Sequence, residues 1–379
     1  MIEYRTAGPQ DMDELIDFIN MVFSMLRVPH NFAVVLPKVY AAEPPVSEIH
    51  EIAREDGRLC GVIGVLPYEM KLAGERLSVG YVGSVSVHPR VRGQGVMREL
   101  MRRQIEKAKT AGLDMLALGG QRQRYEYYGF AACGSRTSYT VSRANVRHTL
   151  AEVDAQGISF RALNEADAEA ALTIYEKQPV TCGRTKENIV KSLKSFWNQA
   201  WTICQNGRVT GYVMASKDDR CIYELALEQE AVLSAVIKAW LEQHSVPAVS
   251  IVTEPYDMAR RIFLGSIGEG GSTASDEMFL CLKPDRVIGA MMRHKRAAVP
   301  MEDGVIKLGF GGFGTLRIAV SGKEVSVCRT EETPDIALDD RKAHEFVFGH
   351  DRSAWLCEDM RMPRGWFPLQ LHVMEADRF

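Results

Sequence analysis

Tyr81-Val82-Gly83-Ser84-Val85-Ser86-Val87-His88-Pro89-Arg90-Val91-Arg92-Gly93-Gln94-Gly95-Val96-Met97 is the stretch on which the fold turns. Its first half alternates, so Val85 and Val87 fall on one face of a strand. His88-Pro89 stops that strand, and a turn of Arg and Gly leads straight into a helix. In that helix Val96, Leu100, Met101, Ile105 and Ala108 recur at helical spacing and face inward, while Arg98, Arg102, Arg103 and Lys107 face water. Gly93 and Gly95 put no side chain over the first helical turn. Its unpaired N–H groups, with the positive end of the helix dipole, can then close on a pyrophosphate. Arg90 and Arg92, flanking Gln94 and the glycines, add positive charge beside the same anion. A bare Gly-x-Gly would read as an ordinary solvated turn. The longer pattern, Arg-x-x-Gly-x-Gly after Val-x-Val-His-Pro, favours an anion site.

Outward from that core, Ile2 to Ala7 reads as a strand, and Pro9 and Asp11 open an amphipathic helix. Its apolar side carries Leu15, Ile16, Ile19, Val22, Phe23 and Leu26. Arg58 to Tyr68 and Glu75 to Val87 read as strands around the Ala73-Gly74 turn. Gly112 closes the second helix, and Asp114 to Leu118 is a buried strand ended by Gly119-Gly120. A weak repeat follows. Tyr4-Arg5 and a helix opening near Asp11 are echoed by Phe160-Arg161 and one opening near Glu165, and Gly57 to Ile63 is echoed by Gly207 to Val213. The order is kept, which favours a duplicated domain. The second copy lacks a counterpart of the Gly-rich turn, so it is expected to keep the fold and lose the ligand. Beyond Val287, Val305 to Leu308, Leu316 to Val320, Val325 to Val327 and Leu369 to Val373 alternate as strands, with a helix at Asp339 to Phe348. This is expected to be a third, α+β unit.

Arg90-Val91-Arg92-Gly93-Gln94-Gly95, followed by Tyr125-Glu126-Tyr127-Tyr128-Gly129-Phe130, resembles the signature pair of the GNAT superfamily of N-acetyltransferases. The resemblance covers about the first 140 residues. It implies a mixed α/β (α+β) fold, acetyl-CoA as co-substrate, and two strands that splay to admit the pantetheine arm. The cofactor contacts it implies are Val85, Ser86, Val87, Arg90, Arg92, Gly93, Gln94, Gly95, Val96, Met97 and Gly120, with Gly83 easing the strand distortion. An active domain over 1–150, a degenerate copy over 151–286 and a sterol-carrier-like domain over 287–379 together resemble the enhanced intracellular survival family. Members of that family acetylate amines, aminoglycosides among them, and the likeness implies a homo-oligomer.

The same resemblance makes Tyr125 the acid that protonates the departing thiolate. Tyr127 and Tyr128 are read as packing. It also brings the terminal carboxylate, on Phe379, into the site as the base. A carboxylate at ~3.5 is a weak base for an alkylamine, so it needs desolvation, a water relay or an amine of lowered pKa. His88 is read as a strand-ending structural residue, and Glu14 and Asp17 as a solvated helix face.

Composition excludes other classes. The net charge of -3 gives no reason to expect nucleic acid. No apolar run is long enough to span a bilayer, and the start of the chain has no signal-peptide pattern. The eight cysteines include no CxxC and no accompanying His pair, so no metal is expected and reduced thiols in the cytoplasm are. Cys133 is read as buried packing. Gly309-Phe310-Gly311-Gly312-Phe313-Gly314 matches Gly-x-Gly-x-x-Gly, but strand-like alternation follows it where a dinucleotide site needs a helix, so it reads as a hairpin or bulge. The expected function is direct acetyl transfer from acetyl-CoA to a primary amine of aminoglycoside, polyamine or lysine-like type. The competing expectation is a non-catalytic CoA sensor or lipid binder.

Overall fold

The computed structural model of the chain describes residues 1–25, 28–44, 46–350 and 362–379. Leu26, expected on the first helix, and Cys357 lie outside the described residues. The first sheet begins with β1 (Ile2–Thr6), β2 (His50–Glu55), β3 (Arg58–Leu72), β4 (Glu75–Val87) and β5 (Met115–Leu118). Neighbours are antiparallel except β4 and β5, which run parallel. Beyond β5 the sheet takes in Met278–Cys281 and then β6 (Ala131–Ala132).

Between β1 and β2 lie α1 (Met12–Ser24), α2 (Phe32–Val35) and α3 (Pro37–Tyr40). Helix α4 (Val96–Thr110) covers the opposite face of the sheet, burying Val96, Leu100, Met101 and Ala108 against Val82, Leu118 and Phe130. Gln104 is also buried, in the apolar stripe of α4. Its Nε2 donates to the carbonyls of Ile49 and Ile63, so the amide is satisfied where a bare one would be costly. Helix α4 ends at Gly112, whose φ of 75° suits the C-cap role.

A second sheet runs in the order Gly270–Ser275, β7 (Ser135–Ser142), Ala248–Thr253, Cys221–Leu227, Arg208–Ala215, Gln199–Gln205 and Ile158–Ala162. Local details of the first sheet recur in it. Arg5 pairs with Asp11 at 2.7 Å, and Arg161 pairs with Asp167 across the same six-residue interval. In both places the aspartate also accepts from a backbone N–H three residues earlier, Gly8 or Asn164. The hairpin turns match as well, with positive φ at Asp56-Gly57 and at Asn206-Gly207.

The third sheet runs Glu324–Thr330, Gly314–Ser321, Gly304–Phe310, Ile336–Leu338. Gly304–Phe310 and Gly314–Ser321 form an antiparallel hairpin about Gly311–Phe313, so the Gly-rich stretch there is a turn between strands. The helix Pro284–Ala298 joins this sheet to the first, and its Val287, Ile288 and Met291 share one apolar core with both. One expectation fails. Among the described residues Leu369 to Val373 is not a ladder strand; the bridge it makes there is Leu371 to Gly134. The segment shares its backbone bonds among three neighbours. Leu369 N–H donates to Val347, Gln370 N–H to the Tyr256 hydroxyl, and the Leu371 carbonyl accepts from Ser135. The alternating apolar side chains are buried, as a strand's would be, but no single partner strand lies alongside.

Candidate active site

Strands β4 and β5 pair only at Val79–Met115, Gly80–Leu116 and Tyr81–Ala117. Past Tyr81 they part, leaving the β5-facing edge of β4 from Val82 to Val87 without a strand partner among the described residues. A bulge lies in β4 at this point, where Ser84 and Val85 together oppose Ile63 of β3, and Ser84 takes a φ of 53°. The cleft so opened measures about 920 Å³.

At one end of the cleft is the turn before α4. Gly93 and Gly95 have φ of 81° and 83°, and a Cβ on either would meet only open space. Gly95 is the N-cap of α4, so the first N–H groups of the helix face that space. Arg92 lines it, its Nε donating to the Val87 carbonyl at 3.3 Å. Val85, Val87, Val96, Met97 and Gly120 line the same cleft. Ser86, Arg90 and Gln94 do not. Ser86 points its buried side chain to the other face of β4, Arg90 lies 3.7 Å from Glu55, and Gln94 reaches the Arg90 carbonyl. His88 accepts from the Arg90 N–H and stacks on Phe18 at 6.4 Å, which is a structural role. Glu14 is held by Arg54 at 2.5 Å, and Asp17 is exposed.

Tyr125 closes the short helix α5 (Arg122–Tyr125) and is buried, with its ring against Gly120; a Cβ on Gly120 would come within 2.6 Å of it. Burial raises the pKa of its phenol, so the proton stays on the oxygen at neutral pH. Tyr127 is exposed under the Arg98 guanidinium, and Tyr128 is half-buried and packs edge-on against Tyr127.

Phe379 also lines the cleft. Its ring fills a slot over β3 and β4 that two glycines leave open. A Cβ on Gly64 would lie 2.7 Å from the ring tip, and one on Gly83 would run into the carboxylate. Tyr40 and His50 flank the ring at 6.1 and 6.0 Å. These two belong to a hydrogen-bond chain. Ser84 lies 2.5 Å from the Tyr40 hydroxyl, which lies 3.0 Å from His50 Nε2, while His50 Nδ1 faces the Ser47 carbonyl. Burial pushes His50 down to about 4, which keeps it neutral.

The residues before Phe379 are tied down. Arg184 binds Asp377 at 2.7 Å and Glu224 at 2.7 Å, all three buried. Lys38 donates to the Ala376 carbonyl at 2.7 Å, and Arg378 pairs with Asp276, Glu277 and Glu375. Glu277 in turn accepts from Tyr81 at 2.5 Å beside Gly119, and burial raises its carboxyl.

The far end of the cleft is one that sequence reasoning missed. Phe23, His30 and Phe32 from the segment around α2 meet Phe196 and Trp197 from the second sheet's side. Phe196 and Trp197 have φ of 57° and 60°. Two consecutive bulky residues in the left-handed region store roughly 1–3 kcal/mol each, a strain that the surrounding contacts must offset. The second sheet also holds one short parallel pair. Cys221–Leu227 and Ala248–Thr253 pair at only two positions, but Arg260 donates to the Leu225 carbonyl at 2.7 Å and pairs with Glu230 just before the next helix. Among the described residues no group of three His, Cys, Asp or Glu could hold a metal, and no helix is long and apolar enough to cross a membrane.

Residues 3–133 match the acetyltransferase (GNAT) domain family. No curated protein matches the chain. Its fold is similar to that of a GCN5-related N-acetyltransferase from Kribbella flavida, at 15% identity and a TM-score of 0.64, covering 91% of this chain and 88% of that one. It is similar too to Eis1 from Mycobacterium abscessus, at 15% identity and a TM-score of 0.65, covering 94% and 91%. A probable N-acyltransferase from Enterococcus faecalis V583 aligns at 13% identity and a TM-score of 0.65, covering 94% and 92%. At these identities the likeness is one of fold.

Proposed function

Because residues 3–133 match the GNAT acetyltransferase domain family, we propose that the chain transfers acetyl from acetyl-CoA directly to a primary amine at the cleft between β4 and β5. The carrying observation is that one cleft is lined by three things: an open helix N-terminus, a buried protonated phenol and the last residue of the chain, Phe379. The pyrophosphate sits on the turn of Gly93 and Gly95 beside Arg92, and the pantetheine amides bond the free edge of β4. The amine nitrogen attacks the thioester carbonyl carbon. The carbon–sulfur bond of the resulting tetrahedral species breaks, and Tyr125 gives its proton to the thiolate. Burial holds the Tyr125 phenol above its ordinary value, so its donation to a thiolate whose thiol lies at ~8.5 is uphill, and the following reprotonation of Tyr125 draws it forward. The amine's proton passes to the Phe379 carboxylate, directly or through water, and on to solvent. No acyl-enzyme is needed, since Cys133 is buried and its thiol pushed up by burial.

The same reading treats 1–150 as the working unit, 151–286 as a silent copy and 287–379 as a sterol-carrier-like unit. The repeated Arg–Asp cap and the Arg260 side chain bonded to Leu225 in the second sheet support it. It also takes the chain as a cytoplasmic subunit of a homo-oligomer. The test is acetylation of a primary-amine panel, followed by thiol release and by mass. Tyr125→Phe keeps the ring and removes the proton, so kcat should fall about 10²-fold with acetyl-CoA affinity retained. Full turnover by Tyr125→Phe would remove the phenol from the mechanism.

A further inference from the structure

The acceptor end of the cleft is walled by rings. Phe23 meets Phe32 edge-on at 4.9 Å, His30 meets Trp197 at 5.4 Å, and Phe32 meets Tyr40 at 5.5 Å, which leads on to Phe379. Val22, Val35 and Leu36 fill the spaces between them. The charged side chains among the described lining residues are Arg92, Arg98 and Arg124, all cationic and all on the α4 and α5 side. Among the described lining residues there is no Asp or Glu. Phe379 lines the cleft too, and its terminal carboxylate is the anion that the acetyltransferase reading places there. The outer side of Trp197 already faces an ammonium, that of Lys217 at 5.9 Å from the ring centre.

A polycation placed in such a pocket would lose water from several ammonium groups and gain one carboxylate. Each group left unpaired is costly. A molecule with one ammonium on a flat apolar body would pair its charge with the carboxylate and bury the rest against ring faces. The loop that carries Phe196 and Trp197 is braced, with Ser195 bonded to the Lys191 carbonyl and Asn198 to the Ser195 carbonyl. The ring wall is therefore formed before the acceptor arrives.

Building on the acetyltransferase reading, we propose that the acceptor is an arylalkyl primary amine with a single positive charge, not a polyamine or an aminoglycoside. The rings of Phe32 and Trp197 set this preference, and the Phe379 carboxylate receives the amine.

The test compares kcat/KM of the full chain for 2-phenylethylamine and tryptamine with that for spermidine and kanamycin, at saturating acetyl-CoA. The arylalkylamines should exceed the polycations by about tenfold or more, and Trp197→Ala should raise their KM by a similar factor. Trp197→Phe should restore most of it, and the KM for acetyl-CoA should stay within about twofold throughout. Equal or better use of spermidine or kanamycin would overturn the acceptor class and leave the acetyltransferase reading standing. If no amine is acetylated, calorimetry with 2-phenylethylamine and CoA separates the two ideas. Binding lost in Trp197→Ala upholds the aromatic site while the transfer reading fails, and no binding to the native chain overturns the site.

Discussion

Gly95 combines two constraints at one residue. Its φ of 83° is a left-handed conformation, and its missing Cβ leaves the first turn of α4 open. A valine there strains the backbone by roughly 1–2 kcal/mol and also puts methyl groups into the proposed pyrophosphate site. Gly57 offers a control, since its φ is 79°, its surroundings are equally open, and it lies in a hairpin turn away from the cleft. Both Gly95→Val and Gly57→Val should lose stability, but only Gly95→Val should lose CoA affinity, by about tenfold or more in calorimetry. Equal CoA affinity for the two variants would move the phosphate site elsewhere. Gly93 and Gly95 could be read from the sequence because their reason is local, a turn entering a helix. Gly64 and Gly83 have a distant reason, the ring and carboxylate of Phe379. A glycine inside a strand signals close approach but does not say by what.

At the scale of elements, β2, β4 and α3 are joined by the chain Ser84–Tyr40–His50, which backs the slot for the chain end. His50 is fully buried, and its pKa falls from 6.5 to about 4 because the charged form is desolvated. The folded state therefore binds a proton less readily than the unfolded chain. Above pH 6.5 both states leave the histidine neutral and nothing is lost. Stability declines as pH falls below 6.5 toward 4, by roughly 3 kcal/mol at most for this group. His50→Gln should flatten the dependence of unfolding free energy on pH across that window. An unchanged slope would assign the acid sensitivity to other groups. Of the three elements joined here only β4 was legible, in the strand–turn–helix of β4 and α4; β2 and the short helix α3 were not, since six and four residues carry too little periodicity to separate from a loop. The Leu369 to Val373 segment was not, because alternation records burial on one side and cannot record whether a partner strand is there. The aromatic loop at Phe196-Trp197 gave no sign either, since its rings reach the site only through the packing of the second sheet against the first.

At the scale of the whole molecule, the site is assembled from distant parts of the chain. The first sheet supplies the cleft proposed for the cofactor, the second sheet's side supplies Trp197 and Arg184, and the last residues cross both to end in the slot of Gly64 and Gly83. Arg184, Lys38 and Arg378 hold Asp377, Ala376 and the acidic pair Asp276–Glu277, so the terminal carboxylate is placed by buried charge as well as by ring packing. Burial of a Phe ring contributes about 1.5–3 kcal/mol, so its loss should cost stability only moderately while the anchors remain. The phosphate turn is untouched by such a change. The decisive measurement is the rate of acetyl transfer by the chain lacking Phe379, set beside CoA affinity measured by calorimetry on the same preparation. Transfer reduced about 10²-fold or more, with CoA affinity within about twofold of native, is the predicted result. Native transfer rates after loss of Phe379 would contradict an active site completed by the chain's own end.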